Sequence, residues 1–259
     1  QSGNQNVMAA WSKWSLSGTV QDCASLQDSM VFLITRDGKT YAEKMRYGLG
    51  RGDTTTDFVP RLDRQVGPLT GTYDVSTDTT QFSGPFDFGA EEKIEASALV
   101  GGDLPLGTTL PVVARDATAG TLEVRGDHAG QPFVLGVPFE SKVVLSKPYF
   151  KKQSPRGGVH HVVGSRQLCR SLNVHLADTG YLRASVDCVG GLRTSDEFLG
   201  DMMGLAKLDA STLRSADFRI PVNADVEEFR VTLSNPTSFP STVVTGAWTI
   251  RVNTKKPTR

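Results

Sequence analysis

Met30-Val31-Phe32-Leu33-Ile34-Thr35-Arg36-Asp37-Gly38-Lys39-Thr40-Tyr41-Ala42-Glu43-Lys44-Met45 is the stretch that decides the fold class. An apolar run, Met30 to Ile34, meets the segment Thr40 to Met45 across Arg36-Asp37-Gly38-Lys39. Asp-Gly between two β-rich runs predicts a hairpin, because a type I′ turn needs positive φ at both central residues. Upstream, Trp11-Ser12-Lys13-Trp14-Ser15-Leu16 puts Trp14 and Leu16 on one strand face and Trp11 on the other, as buried aromatic anchors.

The same reading extends along the chain. The 26 Gly and 13 Pro cut 259 residues into short segments, as turns between strands require. Strand patterns recur at Thr70 to Val75, Leu110 to Ala114 and Thr121 to Arg125. Leu168, Leu172, Val174 and Leu176 alternate with polar residues, Ala177-Asp178-Thr179-Gly180 turns, and Leu182, Ala184, Val186 and Cys188 alternate again. That predicts a half-buried hairpin with Leu176 opposite Leu182, Val174 opposite Ala184 and Cys169 opposite Val189, so that Cys169 and Cys188 stay unbonded. Phe229-Val231-Leu233 and Trp248-Ile250-Val252 alternate in turn, separated by a linker whose Pro236 and Pro240 forbid a continuous strand, and each is the other's expected partner. Thr194 with Glu197 resembles a capping box, opening a short helix that carries Phe198, Met202 and Leu205 or Ala206 on one side. Gly48 to Val66, with Gly48, Gly50 and Gly52, reads as a loop. The expected fold is mainly β, several small antiparallel modules with propeller-like or sandwich-like pieces and at most one or two short helices. The expected division is a hairpin-rich module at 1–66, a small β module at 67–137 and a β module at 138–259.

Composition excludes several functions. Lys plus Arg total 28 and Asp plus Glu total 28, so no net charge draws the chain to a nucleic acid or an anionic membrane. No apolar run approaches the roughly 20 residues that span a bilayer as a helix. The chain begins without Met at a sequence that reads as a domain interior, which suggests processing or a missing upstream portion. Cys23, Cys169 and Cys188 lack the paired spacing of a zinc site, and adjacent His160 and His161 would point to opposite faces of a strand. The pattern G-x-G-x-x-G is absent at Gly48 to Gly52, and Arg51-Gly52-Asp53 is a triplet that chance supplies often. Glu91, Glu92 and Glu95 cluster, but a glycosidase needs two carboxyls opposed across a sugar, which clustering does not provide. No catalytic, cofactor or metal site is expected.

From Ser141 to Ala177 there is no Asp or Glu, whereas Lys142, Lys147, Lys151, Lys152, Arg156, Arg166 and Arg170 all occur. This asymmetry marks a locally positive surface, a candidate channel or subunit-contact face.

Two stretches resemble the tail tubular protein B family, the nozzle proteins of short-tailed bacteriophages. One is Ala10-Trp11-Ser12-Lys13-Trp14 followed by the hairpin at Ser29 to Gly38. The other runs from Phe139 to Phe150 through a basic loop to Leu168–Val186, then to Phe218-Arg219-Ile220-Pro221-Val222, Val231-Thr232-Leu233-Ser234-Asn235-Pro236 and Ala247-Trp248-Thr249-Ile250. Family members are considerably longer, so the chain looks like a C-terminal portion. The resemblance implies a non-enzymatic virion protein of the phage tail, one of six subunits in a distal ring through which the genome leaves. It implies an adaptor ring and tail fibres as partners, with transient, sequence-independent contact to DNA. Two other readings stand beside it: a β-rich carbohydrate- or receptor-binding module using Trp11, Trp14 or Trp248, and a glycan-degrading enzyme using converging acidic residues.

Overall fold

The computed structural model describes residues 17–26, 29–46, 58, 60–84, 86–89, 92–116, 119–148, 151–153, 159–161, 166–191, 193–200 and 213–253. All regular structure among them is antiparallel β. The chain divides into two compact units, Gln1–Arg51 and Gly52–Arg259.

The first unit holds β1 (Thr19–Leu26), β2 (Ser29–Arg36) and β3 (Lys39–Arg46), with β2 central. The Asp-Gly turn forms as its chemistry requires, Asp37 at φ 47° and Gly38 at φ 74°, and Arg36 pairs with Lys39. Phe32 and Ile34 are buried on one face of β2 while Leu33 between them is exposed, the alternation a one-sided sheet demands. Arg36 extends the turn by pairing with Glu43, donating from Nε to the Ser17 carbonyl at 2.7 Å and lying 4.9 Å from the Tyr41 ring centroid. The tryptophan strand expected at residues 11 to 16 lies outside the described residues, as does Arg51-Gly52-Asp53.

The second unit begins with β4 (Asp63–Thr70), β5 (Thr72–Asp74), β6 (Thr79–Ser83), β7 (Glu95–Ala98), β8 (Thr109–Asp116), β9 (Thr121–Arg125) and β10 (Pro132–Val137). They form one sheet in the order β4-β10-β7-β8-β9-β6-β5. Only Gly71 separates β4 from β5, so the two ends of the sheet belong to neighbouring residues and the sheet curls into a half-barrel. A distance proves the curl. Phe82 on β6 and Phe133 on β10 lie four strand steps apart, about 19 Å on a flat sheet, yet their ring centroids are 5.5 Å apart, edge to face. Around them Ile94, Ala96, Ala98, Leu122, Val124 and Leu135 complete a buried core, with small alanines on β7 where the curled wall is tight. Two expectations change here. The strand seen at Thr70 to Val75 is broken at Gly71, and the loop expected through Val66 has become strand from Asp63. The alternation that would reveal β4 is hidden by Arg64 at φ 49° and by the bend at Gly67-Pro68.

The rest of the unit contains β11 (Ser141–Val144), β12 (Lys151–Gln153), β13 (Val159–His161), β14 (Arg166–Thr179), β15 (Tyr181–Cys188), β16 (Arg193–Leu199), β17 (Arg214–Asp225), β18 (Phe229–Asn235) and β19 (Thr242–Asn253). A four-stranded sheet, β11-β18-β15-β16, faces a three-stranded sheet, β17-β14-β19, and β12 and β13 form a separate ribbon. The facing rows close one core: Leu172, Val174, Leu176 and Ile220 from one sheet, Leu182, Ala184, Val186, Phe229, Val231 and Leu233 from the other. Burying each large aliphatic of this set is worth about 1.5 to 3 kcal/mol.

Three expectations are corrected in this sandwich. β14 does not pair with β15: Leu176 pairs with Ala216 and Val243, and Leu182 with Phe198, so Gly180 carries the chain from one sheet to the other. A crossover satisfies the alternation of both strands as well as a hairpin does, because their apolar rows meet face to face. A side chain at Gly180 would put Cβ 2.8 Å from Cβ of Phe239, which is why the crossing uses glycine. Likewise β18 and β19 are not sheet neighbours: β18 pairs with β11 and β15, and β19 with β14. Finally, Thr194 to Phe198 belong to β16 and not to a helix, with Phe198 paired to Leu182 and packed against the core; Met202, Leu205 and Ala206 lie outside the described residues.

The loop between β18 and β19 joins the sandwich to the half-barrel. Buried Asn235 organises it, its Nδ2 donating to the Phe239 carbonyl at 2.8 Å while its Oδ1 accepts from the Thr237 amide at 2.9 Å. The Arg61 amide donates to the Ser238 carbonyl at 2.6 Å, Phe58 and Phe239 have ring centroids 5.6 Å apart, and the Gly180 amide donates to the Pro240 carbonyl at 2.9 Å.

Candidate subunit-contact and channel surface

The basic side chains singled out by the sequence are spread over three sheets. Lys142 lies exposed on β11, opposite Ser234. Lys147 is tied within the sandwich, its Nζ donating to the Glu227 carbonyl at 2.6 Å and to Glu227 Oε2 at 3.2 Å. Lys151 and Lys152 fall on β12, in register with His161 and His160 of β13. Arg166 opens β14 opposite Asn253, and Arg170 is exposed at a bulge in the same strand. Arg156 lies outside the described residues. The fold therefore brings Lys151 and Lys152 together on one ribbon, places Lys142 on an outer strand and diverts Lys147 to an acidic neighbour.

Several charges elsewhere among the described residues are engaged in pairs. Glu92 takes Arg64, whose Nη1 also donates to the Asp87 carbonyl at 2.9 Å and whose guanidinium lies 5.6 Å from the Phe88 ring centroid. Glu95 accepts from Lys93 at 2.6 Å, and Glu91 lies outside the described residues. Each described carboxylate of the Glu91, Glu92, Glu95 group thus faces a cation; neither is opposed to another across a cleft, the arrangement glycoside hydrolysis uses. On the outside of β15 and β16, hydrogen bonds from Tyr181 and then Arg183 hold the Glu197 carboxyl below the usual carboxylate range. At the β5–β6 turn the Tyr73 hydroxyl donates to Asp78 at 2.9 Å, and that bond, helped by slight desolvation and by Asp127 and Asp74, raises the phenol above its ordinary pKa.

Of the tryptophans proposed for glycan stacking, Trp248 is half-buried against Phe229, while Trp11 and Trp14 lie outside the described residues. Among the described residues no group of three or more His, Cys, Asp or Glu could hold a metal ion, and no helix is long and apolar enough to cross a membrane. The outer-strand exposure of β11, with Val143 and Val144 both uncovered, was missed by sequence reasoning. Its only signal is two adjacent valines, which alternation leaves unassigned.

No curated protein matches the chain. The bacteriophage nozzle protein family model matches residues 1–259 from end to end, which accords with an all-β architecture, and the chain belongs to that family, as a structural component of a phage tail.

Proposed function

We propose that the protein is a subunit of the distal tail-tube ring of a short-tailed phage, six copies enclosing the channel through which the genome is ejected. It is assembled in the host cytoplasm, meets an adaptor ring on one side and tail fibres at its flank, and has no catalytic role. The observation that carries this reading is the family match over residues 1–259. Physical chemistry supports it: a conduit should not hold the polyanion that passes, since every neutralised phosphate adds salt-dependent affinity, and this chain balances 28 basic against 28 acidic residues. The division at 1–66, 67–137 and 138–259 belongs to the same proposal. Two separate hydrophobic cores, one around Phe82 and Phe133 and one around Leu172 and Val231, support its second boundary.

Electron microscopy of the purified protein tests the reading. The expected result is closed rings with an open centre, whose symmetry gives the copy number. A protein that stays monomeric at high concentration and moderate salt overturns it.

A further inference from the structure

Among the described residues the half-barrel and the sandwich have separate cores and share no sheet. Modules built in this way ordinarily move and open independently, because a small contact between them leaves each its own stability. The connection between β18 and β19 works against that independence. It leaves the sandwich at Asn235, reaches the half-barrel and returns to the sandwich at Thr242.

Both ends of this strap are tied to the sandwich. At the first, the buried Asn235 side chain accepts from the Thr237 amide at 2.9 Å and from the Thr237 hydroxyl at 2.7 Å, and donates to the Phe239 carbonyl at 2.8 Å. At the second, the Thr242 amide donates to the buried Thr179 hydroxyl at 3.0 Å, and the Gly180 amide donates to the Pro240 carbonyl at 2.9 Å. The middle of the strap engages the half-barrel. Ser238, only 2% exposed, accepts at its carbonyl from the Arg61 amide at 2.6 Å, and its hydroxyl lies 3.4 Å from that of Thr109 at the start of β8. Phe239 then sits between two glycines, one from each module. An added Cβ at Gly107, on the half-barrel side, would lie 2.7 Å from its ring, and one at Gly180, on the sandwich side, 2.8 Å from its Cβ. Phe58, buried on the approach to β4, meets the same ring at a centroid distance of 5.6 Å.

We infer that this strap, with Phe239 as its pin, couples the half-barrel and the sandwich into one cooperative body. Separating the modules strips the ring of Phe239 from one of its two glycines and breaks the Arg61–Ser238 hydrogen bond, so neither module opens without disturbing the other. Glycine at both contacts lets backbone and ring meet directly, and a side chain at either place would prop the joint open. A loss of packing in one module is then felt in the other, and a load on either is borne by both. The coupling belongs to the single chain and is independent of the ring assembly.

Urea unfolding of the full chain, read by pulsed hydrogen exchange and mass spectrometry, tests the coupling. Peptides from β6, β9 and β10 report the half-barrel, and peptides from β14, β15 and β18 report the sandwich. In the parent the two sets should share one midpoint. Trp248→Ala, which removes the ring against Phe229 at the opposite end of β18 from Asn235, should lower both sets together. In Phe239→Ala the two midpoints should part by about 1 M urea or more, and adding Trp248→Ala to that variant should move the sandwich alone. Gly107→Ala presses on the ring from the half-barrel side and should part the midpoints likewise, which keeps the coupling tested if Phe239→Ala does not fold. Separate midpoints in the parent overturn the inference. So do strap variants that merely lower one shared midpoint, the behaviour of an ordinary loss of packing.

Discussion

The rings of Phe229 and Trp248 lie with centroids 5.7 Å apart, tilted by 47°, one on each sheet of the sandwich. They are bonded across the core, not along a ladder. Trp248 is half-buried, with Ile250 beside it on the same face of β19, so the contact closes the sandwich at the margin of its core.

Replacing Trp248 with alanine should cost about 2 to 3 kcal/mol, below the value for a fully enclosed Trp because part of the ring already meets water. Thermal melting should show a drop of roughly 5 to 10 °C. An unchanged melting point would remove Trp248 from the core.

Two glycines should respond very differently to alanine. Gly38 has φ 74° and nothing within 4 Å of an added Cβ, so Gly38→Ala carries only the left-handed backbone penalty of about 1 kcal/mol. Gly107 has φ 81°, and an added Cβ would lie 2.7 Å from Phe239 and 2.8 Å from Phe58. Gly107→Ala should therefore cost more than about 2 kcal/mol, by strain together with displacement of the ring pair at the joint. Equal losses in urea titrations would contradict the packing described for Phe239.

The three thiols should label in the order Cys23, Cys188, Cys169. Cys23 is exposed, Cys188 half-buried and Cys169 buried. Burial pushes the Cys169 thiol up to about 11, opposed by a smaller effect of the Ser171 backbone. The thiolate is the reactive form, so Cys169 should resist alkylation at pH 8 until the chain unfolds. Mass spectrometry of timed labelling decides the order.

Glu197 should titrate below an ordinary glutamate, and Tyr181→Phe should raise its midpoint by removing the largest of its stabilising hydrogen bonds. A carboxyl depressed in the folded state adds stability above its unfolded pKa and loses it as pH falls through the folded one. Because Glu197 is exposed, solvent screens that contribution, and carbon NMR of the carboxyl is the better readout than stability. No change on removing the Tyr181 hydroxyl would refute the assignment.

What the residues disclosed follows from what alternation can encode. The turn Asp37-Gly38 and the strand Thr121–Arg125 were legible because local chemistry alone fixes them. The apolar rows Leu172-Val174-Leu176 and Leu182-Ala184-Val186 reveal which side is buried, but a period of two is silent about which strand lies beside which. That silence allowed a hairpin where Gly180 makes a crossing, and neighbours where Val231 and Trp248 lie on opposite sheets. At Thr194-Ser195-Asp196-Glu197 a helix-start pattern yields to strand pairing, since Phe198 finds Phe218 at 5.8 Å and Val186 pairs with Thr194. Of the basic side chains, the sequence shows their sign and density. It does not show that Lys147 pairs with Glu227 at the surface, because that depends on a residue 80 positions away.

The order in which the strands find their partners also has a consequence in time. Because β4 pairs with β10, the half-barrel waits for its last strand, ending at Val137, to leave the ribosome; β14 similarly waits for β19, ending at Asn253. At ordinary rates of translation these two completions fall on the order of ten seconds apart. Throughout that interval the half-barrel of a nascent chain can be folded while its sandwich is still incomplete.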